Sequence, residues 1–290
     1  MVKERRYWRR RPDGTIQYWG EHTRTKYRIL GKYLYSLSLI VGKEGWAHYF
    51  IDACAGSGRV YIDNELVDGS PLIMAKTREK AKRPSLRCVL IESHNSPERT
   101  YDRLAENLKP FSEWSECKYG DSNVELDKVL NKISPYHFAF VFFDPFGLGN
   151  PTIQRETIRR LMEREHTEIL MNYSWMGVSR MAGHLERASY DPVSQSVVET
   201  LDLFHGEWRN LERRKYSSTR EKSKAFVELY TEEWREYYDY VNYVEIPIGS
   251  RKPLYYLIFT TRNRIGNKIQ REIIKKERRK GAEPLEKFMR

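Results

Sequence analysis

FIDACAGSGR, at residues 50–59, is the stretch that decides the fold. An apolar run ends in Asp52 and Ala53, and the chain then turns through Gly56 and Gly58. Open parallel sheets bind ligands in the crevice beyond the C-terminal ends of their strands. Glycines at such a strand end let the backbone come close to a ligand. The competing reading is a strand-end turn with no ligand.

Working outward, residues 46–53 (WAHYFIDA) read as a buried strand, and strands and helices alternate on both sides of them. Upstream, Thr23 is a plausible N-cap for a helix through about residue 41, with Tyr27, Leu30, Leu34, Leu37 and Val41 at helical spacing. Downstream, Ser70-Pro71 starts a helix (SPLIMAKTREKA), as proline suits a first helical turn. Strands are expected at 86–92, 116–119, 138–143 and 168–173, with helices at 96–108, 123–132 and 152–165 between them. Nearly continuous apolar strands separated by helices imply a mainly parallel sheet buried on both faces, an α/β Rossmann-like fold.

The alternation lapses after residue 174 and strand signals resume at 243–248 and 254–261. The expected organisation is a basic arm at 1–22, a core at 23–174 and 241–290, and a helical insertion at 175–240. Trp208, Trp234, Tyr237 and Tyr238 in the insertion could stack on bases, or could form the core of a helical cap.

Glu92 closes the strand at 86–92, where a carboxylate can accept from both hydroxyls of a ribose. Asp121 follows the next strand and could accept from an adenine amine. A phosphate-cradling G-x-x-x-x-G-K-[ST] pattern does not occur in the chain. A dinucleotide fingerprint needs its acid about 20 residues beyond the glycines, and Glu92 lies further on. Residues 60–69 postpone the next helix to Ser70, so no helix N-terminus is expected at the glycines. A cofactor without phosphates is favoured. S-adenosyl-L-methionine carries a sulfonium cation that Asp52 would attract.

FFDPFGLGNP, at 142–151, ends a strand facing the same crevice. An amine conjugated to a base is a poor nucleophile, because its lone pair is delocalised into the ring. A carboxylate and a neighbouring carbonyl can accept its N–H bonds and hold the nitrogen in line with a methyl donor. Asp144 and the Pro145 carbonyl suit those tasks, and Phe146 could stack on a base drawn out of its helix. Standing alone, the segment also reads as an Asp-Pro turn with a packed phenylalanine.

The net charge of +11 is unevenly spread. Segments 1–11, 209–224 and 271–280 together carry +14, leaving −3 for the remainder. Clustered basic charge is the footprint expected of a surface that meets RNA or DNA. The alternative is a set of solvated helix faces. Cys54, Cys88 and Cys117 are too few and too scattered for a disulfide framework or a zinc site. No apolar run approaches the ~20 residues of a membrane span, and a soluble, cytoplasmic protein is expected. Neither a serine-hydrolase elbow nor an H-E-x-x-H metal motif is present.

In combination, FIDACAGSGR, DGSPLIMA (68–75), LIES, FFDPFGLGNP, EILMNYSW and YYLIFTTRN resemble the three-Cys-motif partner proteins, and the helix bearing Thr23, Thr25 and Lys26 matches that family's N-terminal region. The resemblance spans most of residues 20–265. It implies a class I S-adenosylmethionine-dependent methyltransferase-like fold and a separate partner protein that carries the three cysteines. The DPFG segment is also similar to the motif of tRNA guanine exocyclic-amine methyltransferases, and more loosely to the DPPY of adenine-amine methyltransferases. By matched position, Asp144, Pro145 and Phe146 become the target-amine loop. Asp52, Gly56 and Gly58 become the methionine end of the cofactor site, Glu92 its ribose ligand and Asp121 its adenine ligand.

Overall fold

The computed structural model describes residues 8–10, 16–18, 20–41, 47–93, 98–145, 148, 152–185, 192–248 and 252–281. Its centre is a seven-stranded sheet. In chain order the strands are β3 (His48–Asp52), β6 (Leu86–Glu92), β7 (Ser115–Tyr119), β8 (Phe138–Phe143), β9 (Thr167–Tyr173), β10 (Tyr240–Ile248) and β11 (Lys252–Thr261). Their spatial order is β10-β11-β9-β8-β3-β6-β7. Only β11 runs against its neighbours. This is the mainly parallel, Rossmann-like α/β arrangement that the alternation predicts.

Both faces of the sheet are covered, which explains why its strands read as apolar runs instead of alternating patterns. On one face, Phe50, Leu90, Phe142 and Leu170 pack against α1 (Glu21–Val41), α2 (Ser70–Ala81), α3 (Glu98–Leu108) and α11 (Arg264–Gly281). On the other, Ile51, Ile91, Val141 and Met171 pack against α4 (Ser122–Lys132) and α5 (Arg155–Glu163). The same layer takes in residues of α6 (Trp175–Leu185), α7 (Pro192–Phe204), α8 (Trp208–Glu212), α9 (Thr219–Glu232) and α10 (Trp234–Tyr237), the helices between β9 and β10. Trp208, Trp234 and Tyr238 are buried in that layer, where Phe204 stacks on Tyr230 and Tyr230 meets Trp234. These aromatic residues are core, and are not presented for stacking on bases.

The structure alters three local expectations. Thr23 lies buried inside α1, which starts at Glu21, so Thr23 does not cap it. The stretch expected as a plain insertion at 60–69 is instead largely a hairpin, β4 (Arg59–Ile62) and β5 (Glu65–Asp68), turned by Asp63 and Asn64 at φ 49° and 70°. A two-residue turn with both φ positive suits the twist of an antiparallel pair, and Asp and Asn tolerate it. Near the N-terminus, β1 (Trp8–Arg10) pairs with β2 (Ile16–Tyr18), and β2 runs parallel to β4, giving a small second sheet.

That hairpin overturns the expected exclusion of a helix N-terminus. It leaves the main sheet after Gly58 and returns at Gly69, whose amide donates to the Gly58 carbonyl at 2.8 Å. A Cβ at Gly69 would sit 2.9 Å from that oxygen, so only glycine permits the closure. The first turn of α2 is thereby brought back beside the glycine loop.

Candidate functional site

Strand register assembles the site. Asp52 pairs with Leu90 of β6 and Phe142 of β8, and Phe142 pairs with Leu170 of β9. Side chains alternate between faces along a strand. Glu92, Asp144 and Asn172 therefore stand one pleat above Asp52 on the same face, at the C-terminal ends of adjacent strands. Helix α1 crosses that face and contributes Lys26 and Tyr27, while β11 contributes Tyr255.

Asp52 is fully buried. Its Oδ1 accepts from the Cys54 amide at 3.0 Å, whereas Oδ2 is buried and makes no hydrogen bond among the described residues. Burial lifts its carboxyl to about 7; the Ser70 hydroxyl dipole and the Cys54 amide oppose the shift, and the charges of Asp144 and Glu92 add to it. An unpartnered buried carboxylate oxygen costs roughly 1–3 kcal/mol. Its chemistry suits a cationic ligand. An anionic pyrophosphate, though now within reach of the α2 N-terminus, would meet Asp52, Glu92 and Asp144 together.

Glu92 Oε2 accepts from the Gly56 amide at 2.6 Å, so this carboxylate orders the glycine loop as well as ending β6. Gly56 and Gly58 adopt φ of 63° and 82°, the left-handed region where a Cβ is strained. Ala53 is fully buried with both backbone groups in use, its amide donating to Phe142 and its carbonyl accepting from Ser122. Asp121 caps α4, Oδ1 accepting from the Asn123 amide at 2.8 Å and from its side chain at 2.9 Å.

Asp144 is the most heavily engaged of the expected residues. The Lys26 ammonium donates to its Oδ2, and Asn172 Nδ2 donates to its Oδ1 at 2.7 Å. The ammonium also lies 5.3 Å from the ring centre of Tyr27 and 5.9 Å from that of Tyr255, within range of cation–π attraction. Burial raises both phenols well above their ordinary range, and the Asp144 charge adds to each. The Asp144 amide donates to the Cys54 thiol, which burial and the Asp52 charge raise. Pro145 is buried, and Phe146 lies outside the described residues.

Sequence reasoning gave no role to Lys26, Asn172, Tyr27 or Tyr255. The signals were faint but present. Lys26 falls on the buried stripe of α1 between Thr23 and Leu30. Asn172 is a lone amide near the C-terminal end of a fully buried strand.

Of the basic residues in 209–224, Arg209, Arg220, Lys222 and Lys224 are tied to Asp202, Glu245, Glu212 and Glu228. Arg213, Arg214 and Lys215 are exposed and make no ion pair among the described residues. The same is true of Arg264, Lys268, Arg271 and Lys275, which lie along one exposed face of α11. No helix among the described residues is long and apolar enough to cross a membrane.

Neither a protein-family model nor a curated protein sequence matches the chain. Among solved structures, it is similar to protein LPL1258 from Legionella pneumophila, assigned to family model DUF519. The TM-score is 0.54 at 11% identity, covering 86% of this chain and 89% of that one. This likeness concerns the fold. M. jannaschii TYW2, solved in complex with AdoMet, gives a TM-score of 0.36 at 9% identity over 83% of this chain and 76% of that one, too slight to carry an argument.

Proposed function

We propose that the chain is an S-adenosylmethionine-dependent methyltransferase that N-methylates an exocyclic amine of a base in RNA or DNA. The observation that carries this reading is the arc of Glu92, Asp52 and Asp144 at three adjacent strand ends, with Asp52 Oδ2 buried and unpartnered. Asp52, with the backbone at Gly56 and Gly58, would hold the methionine end of the cofactor. Glu92 would take the ribose and Asp121 the adenine. When bound, the cofactor supplies an electrophilic methyl group.

The protein's own residues do the positioning. Asp144 accepts an N–H of the incoming amine, holding the nitrogen in line and returning electron density to it. Lys26 supplies the countercharge that makes a buried carboxylate tolerable. The buried Tyr255 and the half-buried Tyr27 wall the reacting nitrogen off from water. Nucleic acid as the substrate is supported by the exposed basic residues of 213–215 and α11. A three-Cys-motif protein would be the partner that the family resemblance implies.

A second reading, a binding subunit on a methyltransferase scaffold, is favoured by one observation: both oxygens of Asp144 already have donors. One experiment separates the two. Incubation with methyl-labelled S-adenosylmethionine and separate pools of tRNA, rRNA, DNA and protein should place label in an N-methylated nucleoside. Label confined to protein, or cofactor binding without transfer to any pool, would overturn the proposal.

A further inference from the structure

We propose that Asn172 is a second substrate-binding residue: its Oδ1 accepts one N–H of the acceptor amine while Asp144 accepts the other. The site then takes a primary exocyclic amine and stops at one methyl group.

Asn172, the penultimate residue of β9, lies beside Asp144 and is 7% exposed. Its Nδ2 donates to Asp144 Oδ1 at 2.7 Å, which settles the orientation of the amide, because the flipped form would set two acceptor oxygens against each other. With Nδ2 so committed, Oδ1 is left buried with no hydrogen bond among the described residues. Buried acceptors are nearly always satisfied in folded proteins, and an exception calls for a ligand or another reason. A hydroxyl or a ring N–H brings one hydrogen. A planar primary amine brings two, diverging in the plane of the base, and a carboxylate beside an amide oxygen offers two acceptors. After one methylation the nitrogen keeps a single N–H, so one of the two acceptors loses its donor. Sites that hydrogen-bond a substrate N–H discriminate strongly against an analogue lacking it, because the buried partner is left unpaired.

The monomethyl outcome rests on the methyl-transfer reading; the amine recognition does not. The test therefore has a binding arm and a turnover arm. In the first, the full chain, with and without saturating S-adenosylhomocysteine, is titrated with nucleoside pairs that differ only in the amine: adenosine with purine riboside, guanosine with inosine, and cytidine with its 4-deamino analogue. The expected result is at least one pair in which the amine-bearing member binds about tenfold tighter. Asn172→Leu, which keeps the branched outline without the polar atoms, and Asn172→Ser should both abolish that ratio while S-adenosylhomocysteine affinity stays within about twofold. Equal binding within every pair, or a ratio that survives in both variants, overturns the proposal. So does loss of the ratio together with cofactor affinity. In the turnover arm, labelled nucleic acid is digested to nucleosides. Monomethyl product from the wild type and dimethyl product from the variants support it, and dimethyl product from the wild type overturns it. An intact amine preference without any turnover would reject the methyl-transfer reading and leave the amine site standing.

Discussion

Lys26 on α1 and Asp144 at the end of β8 form an ion pair whose side chains are 6% and 9% exposed. Burying two charges is expensive, and the pair is tolerable only while both partners are present. Lys26→Met should destabilise the protein by about 3–5 kcal/mol in urea unfolding, because it strands a buried carboxylate. Adding Asp144→Asn removes that stranded charge, and the double variant should be more stable than Lys26→Met alone. Costs that simply add would contradict a coupled pair.

At the opposite end of β9, Glu168 sits in a second buried polar network. Tyr33 donates to one carboxylate oxygen and the Thr261 hydroxyl to the other, and Gln270 donates to the Tyr33 oxygen at 2.9 Å. Burial raises the Glu168 carboxyl to about 7, the hydroxyls of Thr261 and Tyr33 and the Arg262 charge opposing it. A carboxyl raised above its unfolded value of about 4.3 holds a proton that the unfolded chain releases. Stability from this group is complete below about pH 4 and is lost as pH rises through about 7. Glu168→Gln should therefore gain on the wild type by about 3 kcal/mol between pH 4.5 and 8. A stability difference that does not change with pH would refute it.

Asp52 gives a ligand-binding counterpart. Its carboxyl, lifted to about 7, is partly protonated at neutral pH, and a sulfonium prefers the ionised form. Affinity for S-adenosylmethionine should tighten from pH 6 to 8 and then level off. The neutral thioether S-adenosylhomocysteine should respond less, and Asp52→Asn should remove the difference. Calorimetric titration of both ligands across that range checks the point; parallel pH profiles for the two would exclude Asp52 as the group facing the sulfonium.

The exposed arginines and lysines of α11 make a salt prediction. Arg271 also lines a cavity of about 480 Å³ with Arg235 and Arg262. Replacing Lys268, Arg271 and Lys275 by glutamine should weaken nucleic-acid binding across sequences and lower the salt slope by about 1 per lost phosphate contact. Substituting the internally paired Arg209 and Lys222 should change the slope much less. Binding that ignores salt would leave these residues as solvated helix faces.

How far the sequence could be read follows from what each interaction needs. The runs LRCVLIE, FAFVFF and TEILMNY are buried on both faces, so their apolar continuity alone marks them as strands. The acids at their ends could then be ordered without coordinates. The hairpin at 59–68 leaves only Asp63-Asn64 as its local signal, a pair without the glycine that usually marks such a turn. The Lys26–Asp144 pair spans 118 residues and depends on how α1 crosses the sheet. The open acceptor on Asn172 depends on which side of one amide meets a carboxylate. Neither leaves a local pattern.

The most direct test of the central claim uses Asp144. Asp144→Ala, with Lys26→Met added if the single variant is unstable, should lose at least about 10²-fold in methyl transfer from labelled S-adenosylmethionine to its nucleic-acid substrate. Calorimetry should meanwhile find cofactor affinity within about twofold of the wild type. Methyl transfer that persists without Asp144, or disappears only together with cofactor binding, would contradict its assignment as the carboxylate that receives the amine.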